Sequence, residues 1–292
     1  QQAVQAVLES GVLSGGSHVA QFERAVAEFC RVHDGVAVNS GTSALHCALL
    51  ALGIGPGDEV ITTPLSFVAS TNCIEMVGAR PVFVDIDPVT WNLDPTRVAE
   101  ATTPSTAAIL AVDLFGRCAD WTALTKLATQ HGLLLIEDAC EALGATHAGQ
   151  SAGSFGDVAV MGFYPNKQLV TGEGGMLLSN QLRIIDCALS LRNHGRRGGS
   201  NEEPMIQLGF NYRLTEMQAA LGCSQLARLP GMLAARAQCA MRYQRLLPEL
   251  AHPSDENGTR RIWFTYVVTV PDRDRVFRCM ADAGVACGRY FP

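Results

Sequence analysis

Residues 133–141 have the sequence Leu-Leu-Leu-Ile-Glu-Asp-Ala-Cys-Glu, an apolar run that ends in acidic side chains. The run predicts a strand over 133–137 that is buried on both faces of a sheet. Asp138 then lies at the carboxyl end of this strand, where α/β sheets bind their ligands. Glu141 follows three residues later, a spacing that suits one helical turn. Taken alone, the peptide is equally consistent with Asp138 as a helix cap.

Apolar strands and amphipathic helices alternate on both sides of this stretch. Further strands are predicted over 36–38, 59–62, 81–85, 107–112, 158–163 and 176–179. Helices are predicted over 19–32, 44–52, 67–77, 95–101, 121–130, 182–191 and 215–229. This order predicts an α/β fold, a mainly parallel sheet covered by helices, for a large domain of residues 1–229.

Residues 230–292 differ from the large domain in their pattern of predicted helices and strands. Helices are predicted over 232–250 and 273–283, and a strand over 263–270. We interpret this region as the start of a smaller α/β domain, which is left incomplete at Pro292.

Composition and charge exclude several classes of protein. The 292 residues are 48% hydrophobic and carry a net charge of −6, so we expect a folded chain without nucleic-acid partners. No apolar run is long enough to cross a membrane, and the first residues lack the basic region of a signal peptide. The ten cysteines include no C-x-x-C pair, which favours reduced thiols over a zinc site. We expect a cytoplasmic protein with no metal and no membrane contact.

Two further segments carry groups that suit a ligand. Residues 40–43, Ser-Gly-Thr-Ser, lie at a strand-to-helix junction, where free N–H groups favour an anion; an ordinary N-cap is the alternative. Lys167 lies between an apolar strand and the glycine-rich residues 171–175, and burial there would make its amine nucleophilic. The alternative is a solvated loop lysine, although the chain has only one other lysine, Lys126. An anion site, an acid and a nucleophilic lysine are together what pyridoxal phosphate (PLP) chemistry requires.

Six motifs occur in an order that is specific to one family. They are residues 38–45, 81–87, 136–139, 162–167, 171–175 and 209–213. On these motifs the chain resembles the DegT/DnrJ/EryC1/StrS sugar aminotransferases, which have the fold-type I architecture of PLP-dependent transferases. The resemblance implies an enzyme that moves an amino group from glutamate or a similar amino-acid donor to a keto sugar nucleotide, for amino-sugar, polysaccharide or antibiotic-sugar biosynthesis.

The resemblance also implies a role for each matching residue. Lys167 corresponds to the Schiff-base lysine, and Asp138 to the catalytic partner of the pyridine nitrogen. Thr42 and Ser43 correspond to the phosphate-binding pair. Phe67 corresponds to an aromatic residue that stacks on the cofactor, whereas the helical pattern alone favours a core position for it.

Several positions extend the resemblance or depart from it. Asn211 matches an asparagine that reaches the phosphate of the neighbouring subunit, which implies a homodimer with shared active sites. Glu141 replaces a glutamine near the cofactor's phenolic oxygen, and Gly162 replaces a phosphate-binding serine. His194 belongs to a further family motif, either as a substrate residue or as a loop histidine. Relatives continue beyond the point that matches Pro292, so the alternatives are a non-catalytic PLP-binding regulator and a truncated, inactive remnant.

Overall fold

The computed structural model describes residues 1–199, 202–250 and 258–290. Its helices are α1 (Gln2–Ser10), α2 (Ser17–Cys30), α3 (Gly41–Ala51), α4 (Ala69–Met76), α5 (Pro95–Ala101), α6 (Trp121–His131), α7 (Leu182–Arg192), α8 (Glu216–Leu246) and α9 (Arg273–Asp282). Its strands are β1 (Asp34–Val38), β2 (Glu59–Thr62), β3 (Arg80–Phe83), β4 (Thr106–Val112), β5 (Leu134–Asp138), β6 (Thr146–His147), β7 (Gln150–Ser151), β8 (Val158–Gly162) and β9 (Gly175–Ser179).

Seven of these strands form one sheet in the order β1-β9-β8-β5-β4-β2-β3. Strands β3, β2, β4, β5 and β8 are parallel to one another, and β9 lies antiparallel between β8 and β1. Six strands therefore end at the same edge of the sheet. Strands β6 and β7 form a separate antiparallel pair. The predicted α/β fold with a mainly parallel sheet is confirmed.

Helices cover both faces of the sheet, because successive strand residues point in opposite directions. Ile109 belongs to a core that contains Phe22 of α2 and Trp121 of α6. Its neighbour Leu110 belongs to a second core on the opposite face, which contains Leu45 of α3. This arrangement explains why the central strands carry apolar residues on both faces instead of alternating with polar ones.

Helix α8 differs from its prediction because it continues through Pro230 to Leu246. Proline removes one backbone hydrogen bond from a helix. Leu229 and, further on, Ala240 are buried, so apolar packing on both sides of the proline compensates for the lost bond.

The strand predicted over 263–270 is wrong, since no strand lies within the described residues 258–290. Trp263 has a φ of 55°, outside the range of extended chain. The N–H of Ile262 donates instead to the carbonyl of Gly116 at 2.9 Å, and Phe264 is buried in the core of the large sheet. Pro292, where the predicted small domain ends, lies outside the described residues.

Two carboxyl groups are fully buried, that of Glu137 in β5 and that of Asp113, the residue after β4, and we call them the buried carboxyl pair. Glu137 accepts hydrogen bonds from the N–H groups of Gly153 (2.7 Å) and Phe155 (2.8 Å). Asp113 accepts one from Nε1 of Trp121 at 2.9 Å. Burial raises the pKa of both carboxyl groups, and the charge of Asp113 adds to the effect at Glu137.

Candidate active site

A cavity of about 420 Å³ lies at the edge of the sheet where the six strands end. Its wall includes the last residues of β4, β5 and β8, which are Val112, Asp138 and Gly162. The first residues of α3 and the side chain of Lys167 complete one side of it. The position agrees with the general rule that open α/β sheets bind ligands beyond the carboxyl ends of their strands.

Asp138 is held at this edge by two hydrogen-bond donors. The hydroxyl of Ser70 donates to Oδ2 at 2.8 Å, and the N–H of Cys140 donates to Oδ1 at 3.2 Å. Asp138 is 5% exposed and Ser70 is 1% exposed. Sequence analysis missed Ser70, because the neighbouring Thr71 and Asn72 are equally polar and the local pattern does not distinguish the three residues. The two donors fix the carboxylate at the cavity wall.

Lys167 is largely buried and lies beside Glu141. Its Nζ is 3.4 Å from Oε1 of Glu141 and 4.7 Å from the ring centroid of Phe264. Only 15% of the lysine side chain and 8% of the glutamate side chain are exposed. Burial raises the pKa of Glu141, and the positive charge of Lys167 opposes that rise. The alternative of a solvated loop lysine is therefore wrong.

The N-terminus of α3 contributes Gly41 and Thr42 to the cavity wall. Ser40 caps the helix, since its Oγ accepts from the N–H of Ser43 at 3.0 Å. The hydroxyl of Ser43 donates to Oδ1 of Asn39 at 2.6 Å, and Ser43 does not line the cavity. The expected phosphate-binding pair is thus divided: Thr42 faces the cavity, and Ser43 belongs to the cap.

Two glycines and a cysteine form the floor beside this helix end. A Cβ atom on Gly41 would lie 3.1 Å from Sγ of Cys140, and one on Gly162 would lie 3.2 Å from it. The thiol therefore occupies the space that a side chain at residue 162 would need. Burial raises the pKa of Cys140 well above its usual range, so the thiol is neutral. This packing leaves little room for any side chain larger than hydrogen at residue 162.

Phe67 precedes helix α4, is 63% exposed and lines the cavity, so a core position for it is wrong. Arg289 and Tyr290 also line the cavity, and sequence analysis missed both. They come from the end of the described chain, far in sequence from the other residues of the wall.

Asn211 and His194 lie outside the wall of this cavity. Asn211 is exposed, and its carbonyl accepts from Nδ2 of Asn39 at 3.5 Å. His194 is also exposed, and its N–H donates to the carbonyl of Phe210 at 2.8 Å. Neither side chain contributes to the cavity of its own chain.

The residues present fit PLP. The first amides of α3 have no partner within the helix, and together with the Thr42 hydroxyl they suit a phosphate. The Asp138 carboxylate suits a protonated ring nitrogen, and the Lys167 amine suits an aldehyde. The glycine floor keeps Cβ atoms out of the space beside Cys140. Fold and site together define a PLP-dependent transferase.

Comparison with known proteins narrows this class. The chain matches the model of the DegT/DnrJ/EryC1/StrS aminotransferase family over residues 1–292 and therefore belongs to that family. It is 40% identical over 283 residues to GDP-perosamine synthase of Caulobacter vibrioides, covering 94% of this chain and 76% of that protein. It is 37% identical over 292 residues to a pleiotropic regulatory protein of Geobacillus stearothermophilus, covering 98% and 78%.

A solved structure supports the cofactor. NtdA from Bacillus subtilis, crystallised with bound cofactor PMP, the amine form of PLP, has a TM-score of 0.91 and 30% identity, covering 100% of this chain and 68% of that one. Members of the family are PLP-dependent sugar aminotransferases, so the predicted family, enzyme class and cofactor are confirmed.

Within residues 1–199, 202–250 and 258–290, no helix has the length and apolar character needed to cross a membrane. Nor does this part of the chain bring three histidine, cysteine or acidic side chains together as a metal site.

Proposed function

We propose that this chain transfers an amino group from an amino-acid donor such as glutamate to a keto sugar carried on a nucleotide, with PLP attached to Lys167. The observation that carries the proposal is the position of Lys167. It is one of two lysines, it is 15% exposed, and it shares a cavity with Asp138 and the start of α3. The similarity to GDP-perosamine synthase supports a nucleotide-linked sugar as the acceptor.

Four side chains of the wall, those of Asp138, Lys167, Thr42 and Phe67, have separate tasks in this proposal. Bound PLP supplies an aldehyde for the amino group and a ring that accepts electrons from the substrate carbon. Asp138, oriented by Ser70, holds a proton at the ring nitrogen. The Nζ of Lys167 takes a proton from the substrate carbon and returns it. Thr42 and the α3 amides bind the phosphate, and Phe67 offers an exposed aromatic ring beside it.

We propose further that the protein is a homodimer in which Asn211 completes the partner's phosphate site. Asn211 is exposed and lies outside its own cavity. The segment before it carries Met205, Ile206 and Leu208, which are 70%, 55% and 82% exposed. A second copy of the chain would cover this apolar surface and bring both asparagines to shared sites.

We place the reaction in the cytoplasm, without nucleic acid or membrane as a partner. All ten cysteines are free thiols, which suits a reducing compartment. The net charge of −6 gives no bulk attraction to nucleic acid or acidic lipids.

Borohydride reduction tests the covalent assignment. The protein loaded with PLP is reduced and digested, and the label is expected on the peptide that contains Lys167. Lys167→Ala abolishes the label, whereas Lys126→Ala retains it, because Lys126 is exposed on helix α6. A label on Lys126, or no label in folded protein, contradicts the proposal.

A second candidate is a PLP-binding regulator without turnover, which the similarity to a pleiotropic regulatory protein favours. Glutamate added to the loaded protein separates the two functions. The aminotransferase releases one equivalent of 2-oxoglutarate per site and loses the visible absorption of PLP. A regulator or an inactive remnant keeps the Lys167 label and releases no keto acid.

A further inference from the structure

The amine of Lys167 has two neighbours of opposite chemical character. On one side lies Oε1 of Glu141 at 3.4 Å, and on the other lies the ring of Phe264, with its centroid at 4.7 Å. The aromatic ring attracts a cation but has no site for a proton. The carboxylate has such a site, within reach of the ammonium group.

Two other titratable groups at the cavity wall, Asp138 and Cys140, are less suited to accept the proton. Asp138 already accepts hydrogen bonds on both oxygens, from Ser70 and from the N–H of Cys140. The Cys140 thiol already carries its proton, since burial raises its pKa well above the usual range. Glu141 is therefore the acceptor that the geometry offers to Lys167.

Glu141 is also held in one orientation. Its Oε2 accepts from the N–H of Phe115 at 3.0 Å, which leaves Oε1 for Lys167. Its backbone carbonyl accepts a hydrogen bond from Nε2 of Gln168, the residue that follows the lysine. Glu141 thus contacts Lys167 through its side chain and the adjacent Gln168 through its backbone.

We propose that Glu141 is a catalytic proton acceptor for Lys167, so that the amine is neutral when it attacks the aldehyde of PLP. This inference rests on the proposed function. The proton transfer balances: one N–H bond of the ammonium breaks, one O–H bond forms on Oε1, and the pair has zero net charge before and after. The neutral amine then condenses with the aldehyde, whose oxygen leaves as water. A glutamine at this position could not perform the proton transfer, because a neutral amide does not take up the proton.

Burial in the cavity favours proton transfer from Lys167 to Glu141. Free lysine has a pKa near 10.4, so only about one amine in 2,500 is neutral at pH 7. In a site that excludes water, moving the proton converts two buried charges into two neutral groups, which lowers the cost of desolvation. Burial raises the pKa of Glu141, which brings the carboxyl group closer to the lysine in proton affinity.

The rate of cofactor loading tests the proposal without relying on turnover. The full-length chain is freed of cofactor and mixed with PLP between pH 6 and 9. The visible absorption and the borohydride-trapped label on Lys167 are followed with time. Glu141→Gln keeps the side-chain volume and an acceptor for the Phe115 N–H but cannot take a proton. We expect loading at pH 7 to slow on the order of a hundredfold, as for loss of a general base.

The pH profile provides the specific readout. In Glu141→Gln the loading rate should recover as pH rises toward 9, because the amine then loses its proton to solvent, and full loading there shows that the variant is folded. Glu141→Asp retains a carboxylate and should recover part of the rate at pH 7. The matched control is Glu173→Gln, which removes an exposed carboxylate at the same cavity and should keep the wild-type pH profile.

Two outcomes decide between this inference and the proposed function. If wild-type protein carries no label on Lys167, the proposed function fails. If Lys167 is labelled but Glu141→Gln loads with the wild-type rate and pH profile, the role of Glu141 alone is overturned.

Discussion

Asp138→Asn removes a charge from the candidate active site while keeping its shape. The carboxylate accepts from the Ser70 hydroxyl at 2.8 Å and from the Cys140 N–H at 3.2 Å. An asparagine can place its oxygen toward the Cys140 N–H and donate its amide to Ser70, because a hydroxyl accepts as well as donates. The variant should therefore fold and bind PLP. It loses only the ability to hold a proton at the ring nitrogen.

The size of the effect follows from burial. Asp138 is 5% exposed, so water screens its charge poorly. Removing a preorganised electrostatic group typically costs about 2.7–4 kcal/mol of activation free energy, and we expect at least a hundredfold loss of rate. Ser70→Ala keeps the charge and the Cys140 hydrogen bond. Losing a hydrogen bond to a charged group costs about 1.5–3 kcal/mol. We expect the rate to fall roughly tenfold, at the low end of that range, because the Cys140 N–H still orients the carboxylate.

The assay is the single-turnover reaction of loaded protein with glutamate, followed by absorption. Equilibrium PLP binding is measured in parallel, so that loss of cofactor is separated from loss of rate. The expected order of rates is wild type, Ser70→Ala, then Asp138→Asn. A near-normal rate for Asp138→Asn would refute the assignment and would mean that another acid serves the ring nitrogen.

Three further predictions concern assembly and stability. Mixing Lys167→Ala with Asn211→Ala chains should restore part of the activity after subunit exchange if the asparagine acts in the partner's site, whereas mixing restores nothing if it acts within its own chain. Glu23 accepts from the Arg192 guanidinium in a largely buried pair, so Glu23→Ala should lower the free energy of unfolding in urea by about 3–5 kcal/mol; a loss below about 1 kcal/mol contradicts this. The buried carboxyl pair binds its proton more tightly in the folded state, because burial raises the pKa of both groups. The protonated pair therefore stabilises the folded protein fully below the unfolded pKa of about 3.9, and this stabilisation is lost as pH rises through the raised folded pKa. Asp113→Asn should make the melting temperature less dependent on pH across that window, and an unchanged dependence contradicts the argument.

The sheet could be predicted because its signals are local. Strand 59–62 and helix 95–101 match the structure at both ends. The strand is buried along its whole length, and the helix starts with an aspartate cap followed by proline. Asp138 and Lys167 were identifiable because both follow apolar strands, and the carboxyl ends of parallel strands share one edge. Chain position placed both residues at this edge but left a helix cap and a solvated loop open as alternatives, and the family resemblance gave each its expected role.

The remaining features depend on contacts between distant parts of the chain. Ser70 and Asp138 are 68 residues apart, and no local pattern links a serine in a helix to a particular carboxylate. Phe264 reaches Lys167 because its segment folds back onto Gly116 instead of forming a strand. Pro230 is a local stop signal that apolar packing overrides. Propensity and periodicity carry no information about such packing.

The one antiparallel strand of the sheet explains how the anion site and the lysine come together. Gly175, the first residue of β9, pairs with Val38 at the end of β1 and with Gly162 at the end of β8. The loop that carries Lys167 therefore starts and ends at the same edge, beside the helix that follows β1. A Cβ atom on Gly175 would collide with the carbonyl of Ser40, so only glycine lets β9 approach the start of α3 this closely. The glycine-rich turn thus sets how close the amine of Lys167 lies to the start of α3, and under the proposed function the cofactor would span the space between these two sides of the cavity.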